Sequence, residues 1–154
     1  MCEEKIKHLD YIQNVITRMN ANSFQIKTWT VTIIAALLAL SANNKSPIFI
    51  FIAIIPTMIF WFLDTYYLQQ EKKFRGVYDD VCELTEKEEK KEIKLFEMPI
   101  QKYKGGKYSY SNVFFSKTLL GFYLSINILL FVMGMIFCLK DCFRIIFVCC
   151  SNCC

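Results

Sequence analysis

Residues 28–84 decide the fold. They read TWTVTIIAALLALSANN (28–44), KSP (45–47) and IFIFIAIIPTMIFWFLDTYYLQQEKKFRGVYDDVCEL (48–84). The two apolar runs, 28–44 and 47–63, each approach the roughly 17 to 25 residues that a helix needs to cross a bilayer. The short link between them makes the two helices antiparallel neighbours. The stretch therefore predicts a transmembrane hairpin whose second helix continues beyond the membrane.

Composition and charge support a membrane protein. The chain has 154 residues, of which 55% are hydrophobic and 16% aromatic, more apolar side chains than a soluble domain of this size can hide. A third apolar run, residues 118–139, contains no charged residue and predicts a third transmembrane helix over residues 116–139. The net charge of +4 is too small to indicate nucleic acid binding.

The distribution of Lys and Arg predicts the topology. These residues are frequent before residue 28 and between residues 72 and 117, whereas the link between the first two spans contains only Lys45. The positive-inside rule then places the N-terminus and the middle of the chain in the cytosol. We therefore expect a multi-pass protein of the cell inner (plasma) membrane with a cytosolic N-terminus.

Two heptad-like seams extend the hairpin outside the membrane. The apolar positions alternate in steps of three and four, as in a coiled coil. The first seam comprises Leu9, Ile12, Ile16, Met19, Ser23 and Ile26, and the second comprises Leu63, Tyr67, Gln70, Phe74, Val77, Val81 and Leu84. The fold class predicted is an all-α membrane protein whose hairpin continues as a cytosolic antiparallel helical stalk. A two-helix stalk buries little surface by itself, so we also expect a homo-oligomer.

The chain divides into five predicted regions. These are a cytosolic amphipathic helix (1–27), the transmembrane hairpin (28–68), a cytosolic helix with a connector resembling a β-hairpin (69–115), the third transmembrane helix (116–139) and a Cys-rich tail (140–154). The dense charges of residues 85–94 indicate a solvated stalk tip. In the connector, Gly105 and Gly106 predict the turn of a β-hairpin over residues 101–110. Its alternating Lys and Tyr residues indicate an ordered surface turn, contact with lipid headgroups or stacking on an anionic ligand.

Polar residues at helical spacing are the candidate binding residues. One face of the first helix carries Asn14, Arg18, Asn22 and Gln25. It is either a solvated surface or a polar lining that meets a ligand or a partner subunit. On the second helix, Glu71 and Arg75 are the corresponding candidates.

Asp64 lies where the second span leaves the membrane, among aromatic residues. An acid at this depth is either solvated or paired. The functional alternative is a structural or gating ion pair with Arg18 or Lys27.

Other features concern the spans themselves. Pro56 should kink the second span or free one of its carbonyl groups. Thr32, Ser125 and Asn127 are polar residues within spans. Such residues pack helices closely or make interhelical hydrogen bonds, and the alternative is a polar ring in a conduction path.

The chain lacks recognisable catalytic chemistry. It has one histidine, His8, and contains no nucleophile motif, phosphate-binding glycine loop or zinc pattern. Six of the eight cysteines crowd the last 17 residues, where adjacent cysteines are poorly placed to share one metal ion. Packing on a membrane surface, disulfides and lipidation remain open for this tail. We expect neither an enzyme nor a cofactor or metal site.

Two segments carry a resemblance to known proteins. They are RMNANSF (18–24) followed by IKTW (26–29), and IP (55–56) with FWFLDTYYL (60–68), Glu71 and FR (74–75). These segments resemble a group of small bacterial multi-pass membrane proteins. The resemblance covers the N-terminal half well and the last span loosely, and does not include the Cys-rich tail. Some small membrane proteins of this kind are effectors of antiphage defence systems of the Thoeris or CBASS type, which act beside enzymes, such as TIR-domain proteins, that make nucleotide signals.

The first functional hypothesis is accordingly an oligomeric membrane effector of bacterial antiphage defence. It would be a pore or membrane-disrupting protein gated by a nucleotide-derived signal or by a neighbouring soluble signalling enzyme. The alternative is a membrane anchor or assembly subunit for a soluble enzyme, without channel activity.

Overall fold

The computed structural model describes residues 3–84 and 93–151, with side chains as far as Phe143. In these two segments every regular element is a helix and there is no strand. The α-helices are α1 (Glu3–Asn44), α2 (Ile48–Ile52), α3 (Ile54–Val81), α4 (Tyr110–Phe114) and α5 (Lys117–Ser151). Within the described residues, three helical stretches are long and apolar enough to cross a membrane: Glu3–Asn44, Ile48–Val81 and Lys117–Phe143. The expected all-α membrane protein with three candidate spans is confirmed at this level.

Helices α1 and α3 pack against each other in opposite directions. Near one end, Lys5 Nζ lies 3.5 Å from Glu83 Oε1. Near the other end, Ile34 packs in one apolar cluster with Ala53. The start of α1 therefore lies beside the end of α3, and the two helices are antiparallel. The first predicted seam faces this contact, because its members Ile12, Ile16, Ser23 and Ile26 are all buried.

The helix after the turn is interrupted at Ala53, between α2 and α3. Pro56 explains the position of the break. It has no N–H to donate to the carbonyl four residues earlier, and its ring crowds that carbonyl. That residue is Ile52, where α2 ends. The predicted effect of Pro56 is therefore seen one turn before the proline itself.

Helix α5 completes the core by packing on α2 and α3. Leu130 is buried with Ile34 and Ile50, and Tyr123 is buried with Trp61. The backbone of α5 continues as a helix to Ser151, so most of the region predicted as a separate tail extends the third long helix. Residues 152–154 lie outside the described part of the chain.

The predicted β-hairpin at residues 101–110 is wrong. This segment forms two short 3₁₀-helices, Ile100–Lys102 and Gly106–Tyr108. Backbone N–H groups that a β-ladder would need are used locally, since Tyr103 donates to the Ile100 carbonyl and Ser109 to the Gly106 carbonyl. The chain bends at the two glycines, where φ is 75° at Gly105 and 49° at Gly106, and Gly106 begins the second 3₁₀-helix.

Tyr103 and Tyr108 pack on α3 instead of pairing across two strands. The rings of Tyr103 and Tyr108 meet edge to face, 5.3 Å apart, and both reach Gly76 of α3, where a Cβ would lie only 2.5 Å from Tyr108 Oη. Residues 85–92, which include most of the predicted stalk tip, lie outside the described residues.

Candidate functional site

A buried polar cluster joins the three long helices. It consists of Ser23 and Lys27 from α1, Asp64 from α3 and Tyr123 from α5, and is called the polar junction below. Asp64 and Tyr123 are completely buried. Ser23 and Lys27 lie on one face of α1 because they are four residues apart, which is about one helical turn.

Asp64 is the centre of the polar junction. Its Oδ2 lies 2.6 Å from Lys27 Nζ and accepts a hydrogen bond of 3.0 Å from the Tyr123 hydroxyl. Its Oδ1 accepts a hydrogen bond from the Ser23 hydroxyl. Lys27 Nζ also donates to Ser23 Oγ over 2.8 Å. Each carboxylate oxygen therefore has a donor, as a buried charge requires.

The two charged side chains of the polar junction differ in their exposure to solvent. The Lys27 side chain keeps 24% of its surface exposed, whereas that of Asp64 keeps none. Two opposite charges in contact can offset the cost of leaving water only when further hydrogen bonds satisfy them. Ser23 and Tyr123 supply those bonds. The junction is consequently stable as a unit and sensitive to the loss of one member.

Aromatic packing fixes the position of Tyr123. Trp61 stacks on Tyr123 at a centroid distance of 5.9 Å and on Phe114 at 4.4 Å. Trp61 and Asp64 lie three residues apart on α3, so the same helical face holds both the tyrosine ring and its hydroxyl partner. Movement of α5 along α3 would disturb the stack and the hydrogen bond together.

The sequence prediction left two partners open for Asp64, and the structure selects Lys27. Arg18 is exposed and lies nine residues before Lys27, about 13 Å along a helix. The solvated alternative for Asp64 is wrong, because its side chain is fully buried. Ser23 was predicted only as a seam position, and Tyr123 had no signal beyond being an aromatic residue in a span.

The four residues of the predicted polar face of α1 have different surroundings. Asn14 is exposed, as is Arg18. Asn22, which is partly buried, and Gln25, which is exposed, line a groove of about 260 Å³ between α1 and α3. The other residues of this apolar groove are Ile26, Trp29, Phe60, Leu63 and Tyr67.

The candidates on α3 lie at a different place. Glu71 is buried, and its Oε1 lies 2.7 Å from both Nε and an Nη atom of Arg75. Arg75 lines a second groove of about 300 Å³. The remaining residues of this basic groove are Lys72, Gly76, Asp79, Lys107 and Tyr108. Lys72, Lys107 and Tyr108 were not among the predicted site residues, although the Lys and Tyr alternation of the connector had indicated an anionic ligand.

The intramembrane polar residues bond within their own helices. Thr32 donates to the Thr28 carbonyl, Ser125 to the Phe122 carbonyl and the Asn127 side-chain N–H to the Tyr123 carbonyl. The Asn127 side-chain N–H thus bonds within α5 and does not form the expected interhelical hydrogen bond. Its Oδ1 is buried without a hydrogen-bond partner in the described part of the chain.

A second buried carboxylate anchors the connector. Tyr103 donates a hydrogen bond of 2.5 Å to Asp80 Oδ2, and both residues are almost fully buried. Burial raises the pKa of Tyr103 far above the ordinary value of 10.0, and the hydrogen bond to Asp80 raises it further. The connector is thereby held against the end of α3.

Comparisons with known proteins add no identification. No protein-family model matches the chain, and neither a curated protein nor a solved structure is significantly similar to it.

Proposed function

We propose that the chain is an oligomeric membrane effector in which a signal received outside the membrane opens a pore or disrupts the bilayer. The observation that carries this proposal is the polar junction. One buried ion pair with two hydrogen bonds ties α1, α3 and α5 together. A rearrangement of any of these helices must break or rebuild the same contacts, so the junction couples them.

The location of the junction supports the coupling role. Lys27 directly precedes the first apolar run, and Asp64 directly follows the second. With the N-terminus in the cytosol, the junction lies at the cytosolic boundary of the membrane. The paired parts of α1 and α3 beyond it form the stalk, and the spans lie on the other side. A signal that moves the stalk reaches the spans through these residues.

The apolar surface of the spans supports assembly. Only 22% of the most apolar window of α5 is buried within one copy. Ile128, Leu129 and Phe131 are each more than half exposed. A lipid-facing surface accounts for part of this area, and contacts with further copies account for the rest in a homo-oligomer. The partners are then the lipid bilayer, other copies of the chain and the source of the signal, in a bacterial antiphage context.

Dye leakage from vesicles tests the proposal without knowledge of the signal. Purified protein is reconstituted into vesicles loaded with a self-quenching dye. Lys27→Met and Asp64→Asn each break the ion pair that holds the three helices in their resting arrangement, so both should raise leakage over wild type. Arg18→Gln is the control, since it removes an exposed charge on the same helix and should leak like wild type.

The alternative, a membrane anchor for a soluble enzyme, gives a different result. In that case wild type and all variants remain tight, although flotation after alkaline carbonate treatment shows that the protein is inserted and circular dichroism shows that its helices are intact. Co-purification of a soluble enzyme encoded beside this chain, together with tight vesicles, would replace the effector proposal with the anchor.

A further inference from the structure

The geometry points to a binding site for a phosphate-bearing anion in the basic groove, farther along α3 than the polar junction. Three cationic side chains, Lys72, Arg75 and Lys107, line this groove together with one carboxylate, Asp79. The lining therefore carries a net positive charge. Its volume of about 300 Å³ is at the lower end of small-molecule sites, which suits a compact ligand.

Two separate segments build the groove. Lys72 and Arg75 lie three residues apart on α3, so they project from adjacent turns of one face. Lys107 comes from the connector, where the positive φ angles of Gly105 and Gly106 place the 3₁₀-helix that carries it. A cleft lined mainly by one sign of charge concentrates the electric field that attracts an oppositely charged ligand.

The shape of the groove depends on Gly76. A Cβ at this position would lie 2.5 Å from Tyr108 Oη and 2.8 Å from the Tyr103 ring. The missing side chain thus lets the connector approach α3 and leaves the floor of the groove open. A hydrogen bond of 2.9 Å from Gln69 Nε2 to the Tyr108 carbonyl holds the connector in this position.

Neighbouring side chains hold Arg75 and Lys107 in positions from which they can contact an anion. Glu71 holds the Arg75 guanidinium through two contacts of 2.7 Å, which orients its remaining N–H groups. Lys107 Nζ lies 5.2 Å from the centre of the Tyr108 ring, a cation–π contact that keeps the ammonium at the groove. Among the described residues, Lys72 and Lys107 form no ion pair, so their charges are available to a ligand.

Phosphate is the chemistry that this set recognises. Guanidinium groups bind phosphate oxygens through paired hydrogen bonds, and ammonium groups bind them as point charges. The source is either a lipid headgroup or a soluble phosphorylated molecule. Lys72 lies eight residues beyond Asp64, about 12 Å along the helix, within reach of a headgroup and of the cytosol. The effect of binding on the membrane rests on the proposed function, whereas the binding itself does not.

Binding measurements on the full chain test this site and separate the two sources. In the first arm, protein in uncharged detergent is titrated with inorganic pyrophosphate at constant ionic strength, with sodium chloride as the reference. In the second arm, protein in the same detergent is titrated with short-chain phosphatidylserine, with short-chain phosphatidylcholine as the reference. Saturable binding of pyrophosphate supports a soluble ligand. A preference for phosphatidylserine without pyrophosphate binding supports a headgroup.

Matched variants show whether the groove is responsible. Loss of one charge-assisted contact in Lys107→Gln should weaken binding by about tenfold or more. Lys104→Gln is the control, because Lys104 is exposed on the same connector but does not line the groove. The proposal is overturned if neither probe binds, or if Lys107→Gln and Lys104→Gln have equal effects. Because dye leakage is not the readout here, a failed effector proposal leaves this test intact.

Discussion

Removal of the lysine from the polar junction should cost more stability than removal of the aspartate. The physical reason is the difference in exposure. In Lys27→Met, Asp64 stays completely buried and loses its counter-ion, with only the Ser23 and Tyr123 hydrogen bonds left. In Asp64→Asn, Lys27 already has 24% of its side chain exposed and can extend its ammonium group to water.

Typical energies of buried ion pairs give the expected loss of unfolding free energy for each variant. Removal of one partner from a buried pair costs about 3–5 kcal/mol. The two remaining hydrogen bonds place Lys27→Met near the lower end, at about 3 kcal/mol. Asp64→Asn keeps the side-chain shape and one acceptor oxygen, so it should cost about 1–2 kcal/mol. Arg18→Gln should remain within about 0.5 kcal/mol of wild type.

Equilibrium unfolding in mixed micelles measures these free energies. Increasing fractions of sodium dodecyl sulfate unfold the protein, and far-ultraviolet circular dichroism follows the loss of helix. The double variant Lys27→Met/Asp64→Asn completes a cycle and should cost about 2 kcal/mol less than the sum of the single variants. The reasoning fails if Asp64→Asn is the more destabilising change. It also fails if the cycle shows no coupling, or if Arg18→Gln matches Lys27→Met.

Three further predictions concern packing and pH. Gly134→Ala should destabilise the protein by about 1–3 kcal/mol, because the new Cβ would lie 2.7 Å from the Phe51 ring. Gly121→Ala is the control, since in the described part of the chain a Cβ there would have no neighbouring side-chain atom within 4 Å. It should be neutral or slightly stabilising in the same unfolding assay. Gly76→Ala should release the connector from α3 through its clash with two tyrosine rings, which faster proteolysis near residue 105 would reveal, and unchanged cleavage would contradict this. Tyr103 stays protonated in the folded state above its ordinary pKa of 10.0. Above pH 10 the folded state therefore binds more protons than the unfolded state, and the free energy of unfolding should fall as the pH rises. Tyr103→Phe should reduce that fall, and an equal pH dependence in both proteins would contradict the prediction.

The connector shows how local signals and packing can disagree. The glycine pair predicts a hairpin turn, but the chain only bends at Gly105 before a 3₁₀-helix, and the flanking residues do not form strands. The decisive contact is Gly76 on α3, which accepts the rings of Tyr103 and Tyr108. Gly76 lies 27 residues before Tyr103 in the chain, so no pattern within the connector could have revealed this partner.

The sequence by itself determined the elements. Hydrophobic length and helical periodicity are local properties, so the apolar runs predicted three membrane-spanning helices and the first seam predicted the buried face of α1. Pro56 predicted the break in the second span for the same reason, since a missing N–H acts on a carbonyl four residues away.

Only the tertiary structure decided which side chains meet. Lys27 and Arg18 are equivalent candidates on paper, and the register between α1 and α3 alone selects Lys27 for Asp64. Tyr123 enters the polar junction because α5 packs on α3 beside Asp64. Lys107 joins Lys72 and Arg75 because a bend of the connector brings it back to α3. These contacts depend on the relative position of helices distant in sequence, which hydrophobic patterns constrain only through the faces they bury.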